Sequence, residues 1–149
     1  ELLKEAQSKM QKHLPARADS WGWAAEMQYF AALKDVDGYL SACKDCQKKD
    51  IKGDALRLAT LAKDLMGYFP QEPKAAKQAE KWLETAAKNG GLPEYWFQYA
   101  KVLLHNGKKS DAREAAQKAL KVAEGKEMDA SMKNQIEVFL KNFEEGERG

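Results

Sequence analysis

The chain is expected to fold as an all-α protein, and three observations carry that expectation. Ala, Leu, Lys, Glu and Gln, the strong helix formers, dominate its 149 residues. Val and Ile are scarce (Val36, Ile51, Val102, Val122, Ile136, Val138), and no segment alternates apolar and polar with a period of two. The prolines, Pro15, Pro70, Pro73 and Pro93, all fall between helical stretches, where a residue that cannot continue a helix belongs.

Eight helices follow in order. Leu2 to His13 forms the first, ended by Pro15. Ser20 is a capping residue for a second that runs through "WGWAAEMQYFAAL". Asp35 or Asp37 starts the third, "GYLSACKDCQKK", which breaks near Gly53. Asp54 opens the fourth, "DALRLATLAKDLMGYF", stopped by Pro70. The fifth, "KAAKQAEKWLETAAKNGG", ends at a Gly pair suited to a C-cap. Pro93 takes the first position of the sixth, "EYWFQYAKVLLHNG". Ser110 caps the seventh, with Asp111 and Glu114 near the favourable end of its dipole. The eighth, about 129–145, sets Met132, Ile136, Phe139, Leu140 and Phe143 at spacings of three and four, one apolar stripe.

Composition bounds the function. With 44% apolar and 32% charged residues the chain is long enough and apolar enough to bury a core as one domain, residues 1–149. Its net charge is +2, and the lysines are interspersed along the sequence with glutamates and aspartates. That distribution argues against nucleic acid as the partner, because a phosphate binder needs a clustered basic face. No apolar stretch is long enough to span a bilayer, and no signal peptide is read. The opening "ELLKEAQ" lacks a methionine, so the chain is expected to be processed or part of a larger protein.

The one motif that suggests chemistry is "CKDC". Cys43 and Cys46 have the spacing of a thioredoxin-type dithiol and of half a zinc site. A redox cysteine works at a helix N-terminus after a strand, where the helix dipole lowers its pKa. Cys43 instead lies about two turns into a helix with no strand before it, so both cysteines read as small buried apolar residues. A zinc site would lack ligands, since the remaining candidates, His13 and His105, are distant in sequence. No Gly-rich phosphate loop or metalloprotease motif is present, and Glu144 and Glu145 read as a solvated helix end. Catalytic residues, metal and cofactor are therefore not expected, with a redox-active Cys43–Cys46 pair kept as the alternative.

Shifting the sequence along itself by 33 residues lays "AEKWLETAAK" (79–88) on "AREAAQKALK" (112–121), matching Ala79 with Ala112 and Ala86 with Ala119. Trp96, Ala100, Leu103, Gly107, Ala112, Ala116, Ala119 and Leu120 complete a pattern that resembles the tetratricopeptide repeat, a helix–turn–helix unit of 34 residues. Gly107 permits the turn, the alanines let two helices approach closely, and the large residues fill the space around them. The match is clear over 93–124 and degenerate over the pairs 20–49 and 54–89, where Tyr39 stands in a slot usually held by alanine. The resemblance implies helix pairs stacked as a short right-handed solenoid, capped by helix eight. It also implies a concave face that holds a peptide or protein segment. On the family's groove positions the binding residues are Phe97, Lys101, Leu104 and His105, together with Trp21, Ala24 and Gln28 of the first pair. The Lys/Asn carboxylate clamp of some family members is not reproduced.

A narrower resemblance covers about the last 70 residues. The stretch "AEKWLETAAKNGGLPEYWFQYAKVLLHNGKKSDAREAAQKALKVAEG", followed by "IEVFLKNFEEGE", is similar to the helical C-terminal half of certain bacterial thioredoxin-like proteins. It implies the accessory part of an extracytoplasmic thiol–disulfide protein, packed against a redox domain elsewhere in the polypeptide. The expected role is thus a non-catalytic interaction domain. A purely structural spacer or dimerisation unit is the remaining alternative.

Overall fold

The computed structural model describes residues 15–124 and 129–148, with side chains over 22–124 and 129–143. The expected helix at 2–13, His13 and the side chains of Trp21, Glu144 and Glu145 lie outside the described residues. Seven helices and no strand are formed among them: α1 (Pro15–Ala32), α2 (Val36–Cys46), α3 (Ala55–Tyr68), α4 (Pro73–Gly90), α5 (Pro93–His105), α6 (Lys109–Ala123) and α7 (Ala130–Arg148). The all-α expectation is met.

Most boundaries follow local chemistry. Asp35 caps α2 by accepting from the Gly38 backbone N–H at 3.0 Å, and Asp54 caps α3 by accepting from Arg57 N–H at 3.0 Å. Pro73 and Pro93 enter at the first turns of α4 and α5, where a missing N–H costs nothing. Gly91 closes α4 in the left-handed region at φ 63°.

Two start signals act differently from expectation. Pro15 opens α1, so Ser20 lies inside the helix and not at its start. Ser110 lies inside the first turn of α6, with Lys108 in the cap position. The cause is the preceding turn: Gly107 at φ 80° lets Lys108 N–H reach Leu103 C=O at 2.9 Å, and the helix starts two residues earlier than a Ser110 cap would set it. The expected break of the third helix near Gly53 is present: after Cys46 the helix continues as a π turn over Gln47–Ile51 and ends before Gly53. That turn is closed by Lys52 at φ 53°, whose carbonyl accepts from the Gln47 side-chain amide at 2.9 Å.

The helices pack chiefly as consecutive pairs, α1 with α2, α3 with α4, and α5 with α6, while α4 also lies against α5, and α7 against α6. Small residues allow this. Ala75, Ala79, Ala86 and Ala87 of α4, and Ala112, Ala116 and Ala119 of α6, are wholly buried, so backbones approach without a gap to fill. Two apolar cores result. The first runs from Tyr39 and Cys43 through Leu58, Leu65, Trp82 and Leu83; the second joins Phe97, Ala100 and Leu103 to the α6 alanines and Ile136. Trp96 and Tyr99 of α5 touch both cores and make them continuous. Side chains tie the turns: Asn89 donates to Gly53 C=O at 2.9 Å, and Asn106 donates to Ala76 C=O at 3.2 Å and to Glu80 at 3.1 Å. The α7 stripe packs as its spacing predicts, with Ile136 wholly buried and Met132, Phe139, Leu140 and Phe143 half-buried around it.

Candidate functional site

The first candidate, the CKDC pair, is a core feature. Cys43 is fully buried and Cys46 nearly so, both as free thiols on the inner face of α2. Burial, reinforced by the neighbouring Cys46, pushes the Cys43 thiol up to about 12, although a hydrogen bond with the Tyr39 hydroxyl works the other way. Burial raises Cys46 as well. A nucleophilic dithiol needs the opposite shift and access to solvent. Both cysteines do what a methyl-sized apolar group would do at those positions. Among the described residues, no group of three or more His, Cys, Asp or Glu side chains is placed to hold a metal.

The predicted binding residues do not form one surface. Successive positions on α5 point to two different neighbours. Phe97 is a correction: it is 7% exposed, stacked edge-on against Phe139 at 5.6 Å between ring centres, because the α7 stripe covers it. Leu104 faces the same side, in a cleft of about 580 Å³ bounded by α6 and by Phe139 and Phe143 of α7. Lys101 and His105 face α3 instead. Gln28 and Ala24 are exposed on α1, apart from both.

Lys101 and His105 border a groove of about 450 Å³ between α3 and α5. Ala62, Leu83 and Val102 form a buried apolar floor, with half-buried Met66 beside it. Exposed Lys63, Lys101 and His105 stand on the walls with half-buried Gln98. The Lys101 ammonium rests 4.7 Å from the Phe97 ring centre, so the buried aromatic positions the cation. An apolar floor under cationic and amide walls suits a short segment with an apolar side chain and a carboxylate. Sequence reasoning missed Lys63, Met66 and Gln98. The first two lie on a helix whose facing partner, α5, is about forty residues away, and no local signal marks such a pairing.

No family model matches the sequence, and no curated protein matches it at a significant level. No helix among the described residues is long and apolar enough to cross a membrane.

Proposed function

We propose that the chain is a non-catalytic interaction domain of tetratricopeptide-like design that holds a peptide segment of a partner protein in the α3–α5 groove. The observation that carries the reading is the composition of that groove, an apolar floor bordered by Lys63, Gln98, Lys101 and His105. Its position supports the family likeness, since α3 and α5 are the first helices of their pairs and such helices line the concave face of helical repeats. The wholly buried alanines at the repeat-matched positions 79 and 112, and 86 and 119, are consistent with pairs stacked as a short right-handed solenoid, with α7 as its cap. A thioredoxin-like domain joined to this one, as the narrower resemblance implies, would offer its own segment to the same groove.

The test is selection from a random peptide library on the wild-type protein, followed by titration of the enriched peptides. Peptides carrying an apolar residue next to an acidic one or to a free C-terminus are expected. Their affinity should fall at least about tenfold in a Lys63→Ala/Lys101→Ala/His105→Ala variant that keeps its helical circular dichroism. Enrichment of no peptide, or equal binding by the variant, would sink the reading. Phe97→Ala is no test, because it opens the core.

A further inference from the structure

The opposite helices of the pairs form a second groove, and its chemistry differs. The sequence intersperses its lysines with acids, but folding brings together Lys44 and Lys48 from α2 and its π turn with Lys74, Lys77 and Lys81 from α4. They face each other across a groove of about 660 Å³. The gathering follows from helix geometry. Positions 74, 77 and 81 recur at three and four residues and share one face of α4, as 44 and 48 share one face of α2. All five are exposed.

Two acids lie among them, and both are already engaged. Asp37 pairs with Lys74 at 3.0 Å. Asp45 pairs with Lys49 at 3.1 Å and accepts from the Trp23 indole N–H at 2.8 Å. Among the described residues, Lys44, Lys48, Lys77 and Lys81 make no ion pair. Four cations thus converge on one concavity with no ion pair of their own, and only Lys48 feels the charge of a groove acid, Asp45.

We propose that the α2–α4 groove is a second binding surface, on the other helices from the α3–α5 groove, and that it takes an acidic peptide segment of a partner protein. Lys74 to Lys81 spans about 10 Å along the α4 axis, and alternate side chains of an extended peptide are about 7 Å apart. Two or three carboxylates of one extended segment therefore match the lysine row. Ser41 and Gln78 on the lining offer hydrogen-bond partners for a peptide backbone. A nucleic-acid strand fits less well. The lining holds no aromatic ring for base stacking and no arginine. A phosphodiester is charged at every step, whereas a peptide can place a neutral residue opposite Asp37 or Asp45.

Fluorescence anisotropy with a labelled octaglutamate peptide tests this. Octaserine and a thymidine octanucleotide serve as comparison probes, each titrated at low and at physiological salt. Octaglutamate is expected to bind, with affinity falling as salt rises, and octaserine is not. A Lys44→Gln/Lys77→Gln/Lys81→Gln variant should lose about tenfold in affinity. A Lys118→Gln/Lys121→Gln/Lys133→Gln control of equal charge loss, away from the groove, should lose less than about twofold. Equal losses in the two variants would reduce the effect to diffuse charge and overturn the proposal. Absence of octaglutamate binding would overturn it too. Oligonucleotide binding as tight as octaglutamate, lost with the groove lysines, would assign the groove to nucleic acid instead. Loss of groove binding in the Lys63/Lys101/His105 variant described above would show that the two surfaces are not separate.

Discussion

Cys43 offers the most direct check on whether this chain does chemistry or holds something. The thiolate is the reactive form of cysteine. With its thiol pushed up to about 12, Cys43 is ionised to about one part in ten thousand at pH 8, while an ordinary cysteine near 8.5 is about a quarter ionised. Ionisation alone therefore slows alkylation by a factor of a few thousand, and full burial adds the need for the structure to open first. The assay is iodoacetamide labelling of the wild type at pH 8, followed by peptide mass after tryptic cleavage at Lys44, which separates Cys43 from Cys46. Native protein should react at least about a thousandfold more slowly than the same protein in guanidinium. A native rate within tenfold of the denatured one, with the helical signal intact, would refute the packing account and revive the dithiol. The same shift has a thermodynamic face. Because the folded state holds the Cys43 proton more tightly than the unfolded chain, its stabilising contribution is complete below about pH 8.5 and is lost as pH rises toward 12. Stability of the wild type should therefore fall more steeply between pH 8.5 and 10 than that of Cys43→Ala, by up to about 1.4 kcal/mol per pH unit. Parallel slopes would count against the shift.

Two glycines inside helices should respond with opposite signs. A methyl at Gly90 would lie 2.5 Å from the ring of buried Tyr95 and 2.8 Å from Ala55 Cβ, so Gly90→Ala should destabilise by about 1–3 kcal/mol. Gly67 has nothing within 4 Å, and Gly67→Ala should stabilise by roughly 0.5–1 kcal/mol; urea melts that move both the same way would contradict this. Ile136→Ala removes the one wholly buried side chain among the described residues of α7 and should cost about 2–4 kcal/mol. It should also raise the accessibility of Phe97 and Leu103, read as faster amide exchange on the α5 face. A cost under about 1 kcal/mol would mean that α7 is not a working part of the second core.

Much of the fold was legible because its signals are local. Asp35, Asp54, Pro73, Pro93 and Gly91 each act through hydrogen bonds or dihedral limits within a few residues, and a reader of the sequence meets cause and effect together. The burial of Cys43 and Cys46 was legible for the same reason, since spacing on one helix sets which face they share. Ser20 and Ser110 misled because capping residues also sit inside first turns or deeper in helices, and the turn before them decides which. The candidate site was legible only in part: Lys101 and His105 belong to a groove, while Phe97 does not.

What the sequence alone determined is the class of the fold, the order of the described helices and the inward stripe of α7, because propensity, capping and a period of 3.6 act over one or two turns. Tertiary structure decided which outward residues share a surface. Whether Phe97 met a ligand or a neighbouring helix depended on where α7 docked, some forty residues further on. Whether the lysines were scattered or gathered depended on α2 lying across from α4. A groove belongs to two elements at once, and the angle and register at which they meet are set by the packing of the whole core.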